Sequence, residues 1–285
     1  MNWLTLTFLS IISRSFYGLM TKVLSNKVKV SIYTQACLLS LAGAVITFIF
    51  SPLIGGFSFI TSDVNIVTLI LVVLGQGLGN IVYFASIQHL TNATAQIAFS
   101  SILLFNTILA LLFLNLHLNV FNILGIVTLL TAILSVINGK VAYHKKGIFL
   151  MLLAAFLFAI FQLASSELSK QVSASAYLLI AYLGSSIVVF SLNAKVILKD
   201  ISSSTDYSTL FGVPFLTAVP SIGNFLFAYY AYRIAPHPAK VAMLLSSQIV
   251  LTVILSYYFL NEKANIRRNI IAGLLVILSA ILIKN

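Results

Sequence analysis

Apolar residues dominate the chain in long runs that are separated by short polar segments. A run of about 20 apolar residues is long enough to cross the hydrocarbon core of a membrane as a helix. The pattern therefore predicts an all-α integral membrane protein with ten transmembrane helices, at residues 3–25, 31–54, 64–88, 91–114, 119–138, 146–168, 174–197, 208–233, 236–259 and 266–284.

The first apolar run carries a polar stripe with a charge near its centre. Thr7, Ser10, Arg14, Tyr17 and Thr21 are spaced by 3, 4, 3 and 4 residues, which places them on one face of a helix. A guanidinium at membrane depth is costly, and such a residue usually faces a water-filled cavity and serves a function. The alternative is that Arg14 reaches a lipid headgroup or pairs with a backbone carbonyl.

Composition narrows the classes of protein that this chain can belong to. A mean hydropathy of +1.10 with 7% charged residues excludes a soluble domain, and the loops are too short to hold an enzyme domain. The single cysteine, Cys37, leaves no partner for an intrachain disulfide or a thiolate metal site. We predict no cofactor and no metal, and we expect the net charge of +11 to be a topology signal rather than a nucleic-acid site.

The basic residues of the loops fall unequally on the two sides of the predicted membrane. Four lie on the side of both termini: Lys170, Arg233, Lys240 and Lys284. Eleven lie on the other side: Lys22, Lys27, Lys29, Lys140, Lys145, Lys146, Lys195, Lys199, Lys263, Arg267 and Arg268. The positive-inside rule assigns the richer side to the cytoplasm and both termini to the outside.

The chain also contains an internal repeat, visible as a shift of 144 residues between its halves. The informative matches pair Tyr33 with Tyr177, Asn80 with Asn224 and, at a slightly larger shift, Gly125 with Gly273. Five helices is an odd number, so two such halves insert in opposite orientations. We therefore predict two inverted five-helix repeats, residues 1–143 and 144–285, with a binding site between them near the membrane midplane.

These features resemble the ten-helix EamA-like branch of the drug/metabolite transporter superfamily over essentially the whole chain. The best local match runs from Tyr232 to Ile283, where Ala235-Pro236 opens a helix and Phe259-Leu260-Asn261-Glu262 closes it. Tyr17-Gly18 resembles an aromatic–glycine pair common in the first helix of the family. The resemblance implies two EamA-like repeats and transport of small solutes.

The chain departs from the family pattern at three points. Gln248 stands where many members carry proline, and the first half has Leu116 where the second half has Glu262. Ten-helix members are generally described with both termini in the cytoplasm, in conflict with the charge count above.

The resemblance implies a central cavity lined by helices 1, 3, 4, 6, 8 and 9, and each of these helices carries polar candidates. The predicted substrate-binding residues are Arg14, Tyr17, Gln76, Asn80, Tyr83, Gln96, Gln162, Asn224, Tyr229 and Gln248. For any one of the polar candidates, a hydrogen bond that only joins two helices is an equal alternative. Glu167 is the predicted proton-coupling residue.

Arg14 favours a solute that carries a carboxylate or phosphate, because its planar fork matches such groups. We predict a secondary transporter, an exporter of a small polar metabolite such as an amino acid, working by alternating access in the cell membrane as a monomer or homodimer. A carrier or flippase for a phosphorylated or lipid-linked sugar is the alternative within transport. A structural membrane protein or receptor is the alternative outside it. An intramembrane enzyme is disfavoured, since no HExxH or GxSxG motif is present.

Overall fold

A computed structural model describes residues 2–58, 64–113, 119–137, 145–235, 241, 244–245, 247–263 and 266–284. Within these ranges the regular structure is helical. The principal helices are α1 (Trp3–Lys27), α2 (Ile32–Phe50), α3 (Ile66–Ile87), α4 (Asn92–Phe99), α5 (Ile102–Phe113), α6 (Val120–Ile137), α7 (Lys145–Gln171), α8 (Ala174–Ser203), α9 (Tyr207–Ile234), α10 (Gln248–Phe259) and α11 (Ile266–Lys284). The all-α prediction is confirmed for the described residues.

Short polar residues begin most of these helices. The side chains of Asn2, Ser31, Thr91, Ser173 and Asp206 each stand directly before a helix, and each lies beside the first unpaired N–H groups. All five accept from the N–H three residues on, as in the 2.8 Å bond from the Thr5 N–H to Asn2 Oδ1. Such caps satisfy N–H groups that have no partner within the helix.

Seven helical segments are long and apolar enough to cross a membrane. They are α2, α3, α4 together with α5, α7, α8, α9 and α11. Two further apolar helices, Val120–Ser135 and Gln248–Phe259, are shorter. The polar stripe of α1 lowers its hydropathy, and α1 is not among the seven. The protein is thus a multi-pass membrane protein, and the count of ten spans remains a prediction.

The fourth predicted helix is interrupted at Ser100 and Ser101, between α4 and α5. The Ser100 N–H bonds to the carbonyls of both Gln96 and Ile97, a tight turn that ends α4. Irregular backbone at membrane depth is tolerated where it lies against protein or lines a cavity. Residues 236–240 of the ninth predicted helix, with Lys240, lie outside the described part of the chain.

Helix pairing follows a two-repeat pattern. The most extensive contacts join α3 to α7 and α1 to α9, and the next join α6 to α11 and α2 to α8. In the predicted repeats, the first helix (α1) corresponds to the sixth (α7), and the third (α3) corresponds to the eighth (α9). The contact between α1 and α9 is therefore equivalent to the contact between α7 and α3. This equivalence is expected when two halves are related by a two-fold axis. The inversion of the repeats remains a prediction, and the boundary between residues 143 and 144 falls outside the described ranges.

Large apolar side chains cover the outer surface of the bundle. Phe48, Phe149, Ile187 and Leu216 are among those that point away from the protein. An apolar exterior of this extent fits a hydrocarbon environment. The polar stripe of α1, in contrast, turns inward: the Ser10 hydroxyl donates to Asn224 Oδ1 on α9 at 3.0 Å.

Candidate solute-binding cavity

A cavity lies in the interior of the bundle, between helices of both halves. Its walls come from α1 to α4 and from α7 to α9, through Arg14, Tyr17, Leu39, Gln76, Asn80, Tyr83, Phe99, Phe158, Tyr182, Ser221 and Phe225. Its empty space is about 420 Å³ when the open side is included. The space is narrow, with room for about one water molecule. Side chains must therefore move before a solute larger than water can occupy this space.

Arg14 contributes the positive charge of the cavity. Its guanidinium carbon lies 5.3 Å from the centre of the Tyr17 ring and 5.5 Å from the centre of the Phe99 ring. Contacts of this kind attract a cation to the ring face but do not neutralise it. Across the described residues, no carboxylate lies within ion-pair distance of Arg14. Within the described part of the chain, the cavity therefore holds a cation without a carboxylate partner.

Tyr83 contributes a hydroxyl to the cavity wall, and Gln96 holds this side chain in place. Gln96 Nε2 donates to the Tyr83 hydroxyl at 2.8 Å, and the Thr21 hydroxyl lies 3.5 Å from the same oxygen. Gln96 does not line the cavity itself. It holds the tyrosine that does.

The other side-chain hydrogen bonds around the cavity are also made within the protein. Asn80 Nδ2 donates to the Ser40 hydroxyl at 3.3 Å, and the Tyr182 and Ser221 hydroxyls are 2.6 Å apart. Gln76 differs from these residues: it is 4% exposed, yet its Oε1 has no hydrogen-bond partner in the described structure.

The structure brings together five of the predicted binding residues, namely Arg14, Tyr17, Gln76, Asn80 and Tyr83. The remaining predicted residues do not line the cavity. Gln162 is exposed and accepts from Asn106 at 2.8 Å, Asn224 accepts from Ser10, and the Tyr229 ring packs against Tyr230. The Gln248 carbonyl accepts from Ser15 at 3.1 Å. Binding roles for these residues remain predictions.

Glu167 lies near the end of α7 rather than at the cavity. Its carboxylate pairs with Lys170 at 2.7 Å, and the two side chains are 53% and 68% exposed. The proton-coupling role remains a prediction, and this location does not support it.

Four aromatic residues of the cavity were not predicted from the sequence, namely Phe99, Phe158, Tyr182 and Phe225. Phe99 packs edge-on between Tyr83 and Phe158, with ring centres 5.7 and 5.5 Å apart. Tyr182 and Phe225 form a second edge-on pair, with centres 6.3 Å apart. With 21 phenylalanines and 12 tyrosines in the chain, sequence alone does not distinguish aromatic rings of a cavity from those that face lipid.

A polar cluster joins the two halves at one end of the bundle. Glu262, in the loop after α10, accepts from the backbone N–H groups of Asn92 at 2.7 Å and Ala93 at 3.1 Å, at the start of α4. The Lys22 ammonium donates to the carbonyls of Ile87 and Leu90 at the end of α3, the latter at 2.8 Å. Burial raises the pKa of the Glu262 carboxyl, although the two N–H groups and Lys22 act in the opposite direction.

A second set of contacts joins loops at the opposite end. The Asn65 N–H before α3 donates to Gln171 Oε1 at 3.0 Å, and the Ser173 N–H donates to the Ser58 carbonyl at 2.9 Å. Loops after the first, third and ninth predicted helices thus meet at one end, and loops after the second and sixth meet at the other. This arrangement agrees with the alternating path that ten spans require.

Gly43 on α2 allows Tyr182 to reach the cavity wall. A Cβ at this position would lie 2.6 Å from the Tyr182 ring, closer than real contacts allow. We expect Gly43→Ala to displace the ring and lower stability by about 1–3 kcal/mol, measured as a lower thermal midpoint of the purified protein. Gly212→Ala is the matched control, because a Cβ there meets no atom within 4 Å. An unchanged midpoint for Gly43→Ala would show that the close packing is absent.

Comparison with known proteins identifies the class. The model of the EamA-like transporter family matches residues 1–138 and 145–284. The chain therefore belongs to the EamA-like transporter family, and the resemblance inferred from the sequence is confirmed. Members of this family are membrane transporters of small solutes, not enzymes.

Two further comparisons say less about the class of protein. A crystal structure of a protein that is 14% identical matches with a TM-score of 0.68, over 98% of this chain and 94% of that one, and at this identity the likeness shows the fold alone. No curated protein matches the chain significantly.

Proposed function

We propose that this protein is a secondary transporter of the cell membrane whose solute is a small carboxylate-bearing metabolite such as an amino acid. The observation that carries the proposal is the Arg14 guanidinium, which faces the central cavity without a carboxylate partner in the described residues. Export is the direction expected from the sequence, and it remains a proposal with the rest.

The chemistry of the cavity favours an anionic group on the solute. A charge held at membrane depth is stabilised by water or by an opposite charge, and this cavity has room for about one water molecule. A solute carboxylate would supply the missing charge and accept two parallel N–H bonds from the fork. The surrounding Tyr17, Phe99 and Phe158 rings would pack against the apolar part of the solute.

The same cavity supports alternating access as the mechanism. The pocket lined by Arg14 and Phe225 has walls from both halves of the chain. The Glu262 cluster joins the halves at one end through a carboxylate, and the sequence of the first half has Leu116 in the equivalent position. The positive-inside rule assigns the Glu262 end to the cytoplasm. We propose that this cluster holds the cytoplasmic end closed in the conformation described here and opens when the repeats rock.

The energy source for transport is inferred from the sequence motifs. The sequence carries no phosphate-binding loop, so we propose that transport is driven by the gradient of the solute or of protons.

Uptake into proteoliposomes tests the proposal. Purified protein is reconstituted and loaded with unlabelled solute, and exchange is measured for labelled amino acids, simple carboxylic acids, sugar phosphates and organic cations. We expect exchange of a carboxylate-bearing solute and none of organic cations. Exchange of sugar phosphates alone would favour the phosphorylated-sugar carrier. No exchange with any member of the panel would contradict transport of these classes and favour a structural or receptor role.

A further inference from the structure

Gln76 is a residue of the cavity wall whose amide oxygen lacks a hydrogen-bond partner among the described residues. It lies on α3, is 4% exposed, and its Oε1 has no partner among the residues that the structure describes. Asn80, one turn further along α3, donates to Ser40, and Gln96 on α4 donates to Tyr83. A buried amide oxygen without a partner is unfavourable, so one at a cavity wall suggests a partner that enters from outside the protein.

The surroundings of Gln76 offer few alternative donors. Behind it lies a smaller apolar space lined by Phe161, Tyr177, Leu178, Ala181, Tyr182 and Phe225. The Tyr177 hydroxyl donates to Ser165 at 2.9 Å, and the Tyr182 hydroxyl is paired with Ser221. The hydroxyl groups of both tyrosines that line this space are therefore already in hydrogen bonds.

Arg14 and Gln76, which line the same cavity, need opposite kinds of hydrogen-bond partner. Arg14 has only N–H donors and needs an acceptor, whereas Gln76 Oε1 needs a donor. Aromatic rings at Tyr17, Tyr83 and Tyr182 line the same space. The faces of aromatic rings attract a positively charged ammonium group more strongly than a neutral methylene group.

From this arrangement we propose that Gln76 is a specificity-determining residue that accepts a hydrogen bond from the amino group of a zwitterionic solute. The proposal rests on the function proposed above, because it places the solute carboxylate at Arg14. It narrows the class of solute to molecules that carry both an anionic group and an N–H donor.

The test compares one amino acid with the carboxylic acid of the same skeleton that lacks the amino group, both in the proteoliposome exchange assay. Gln76→Met keeps the length of the side chain and removes the amide. We expect Gln76→Met to raise KM for the amino acid about tenfold and to leave KM for the des-amino acid within about twofold. A purely structural role would change both KM values together.

Gln35→Met is the matched control. Gln35 is also buried, with 1% exposure and an unpartnered Oε1, but its Nε2 donates to the Val28 carbonyl at 2.8 Å and it does not line the cavity. We expect this variant to keep the wild-type ratio of the two KM values.

The outcomes separate this proposal from the proposed function. If wild-type protein exchanges both solutes and Gln76→Met changes their KM values equally, the role of Gln76 is wrong while carboxylate transport stands. If wild-type protein exchanges neither solute, both proposals fall. A selective loss of amino-acid affinity in Gln76→Met alone supports the hydrogen bond.

Discussion

Arg14→Ala is expected to lower carboxylate exchange by about a hundredfold while the protein still inserts and purifies normally. The fork supplies two charge-assisted hydrogen bonds, each contributing about 1.5–3 kcal/mol, so their loss falls mainly on solute binding. The measurement is the initial rate of exchange in proteoliposomes, normalised to the amount of reconstituted protein.

Two variants make this result specific. Arg14→Lys keeps the charge but loses the two-pronged geometry, so we expect activity between wild type and alanine. Arg267→Ala removes an exposed arginine at the start of α11 and should leave exchange unchanged. Full activity in Arg14→Lys would indicate that the residue only extends to the membrane surface, and full activity in Arg14→Ala would remove it from the site.

Glu262→Ala is expected to lower the stability of the protein and to weaken the closure of the adjacent end of the cavity. The substitution leaves the N–H groups of Asn92 and Ala93 at the start of α4 without their carboxylate acceptor. Loss of a helix cap costs about 0.5–2 kcal/mol, and hydrogen bonds to charged groups are stronger than average. We expect destabilisation of about 2 kcal/mol, seen as a lower thermal midpoint, with Glu262→Gln in between because it keeps one acceptor oxygen.

The same variant should open the end of the cavity nearest the Glu262 cluster, which is the end proposed above to face the cytoplasm. Thr21 is fully buried beside Tyr83, on the helix that also carries Lys22. With Cys37 replaced by serine, a cysteine introduced as Thr21→Cys should react faster with a membrane-impermeant thiol reagent, applied from the Lys22 side, when Glu262 is alanine.

Glu167→Ala is the acidic control for both measurements. Its ion pair with Lys170 is exposed, so its loss should change stability by less than about 1 kcal/mol and leave the labelling rate unchanged. If Glu262→Ala behaves like Glu167→Ala in both measurements, Glu262 does not hold this end closed.

Polar residues were the part of the cavity that the sequence could predict. They are rare in apolar runs, and helical spacing placed Arg14 and Tyr17 on one face of the first helix. Gln76, Asn80 and Tyr83 are spaced by 4 and 3 residues, which also suits one helical face, and the structure turns both faces inward. Spacing gives only the face of a single helix and says nothing of its rotation within the bundle. Gln162 was included on its chemistry, yet its helix points it outward, toward Asn106.

The features that the sequence did not predict depend on contacts between distant segments of the chain or on local packing. The apolar run at 91–114 gives no sign of its interruption at Ser100, since serine is common within helices of membrane proteins. Glu262 matched a family motif, but its bonds to Asn92 and Ala93 bridge about 170 residues of chain. Phe99 and Phe158 resemble the many aromatic residues that face lipid, and only packing places them at the cavity.

The most direct test of the central claim is an experimental structure of the protein with the transported solute bound. We predict that the solute carboxylate lies between the repeats, within about 2.7–2.9 Å of the Arg14 guanidinium nitrogens. We further predict that the Tyr17 and Phe99 rings flank the guanidinium, as they do in the structure described here. A solute bound away from Arg14, or an Arg14 side chain that points into lipid, would contradict the assignment of this cavity as the binding site.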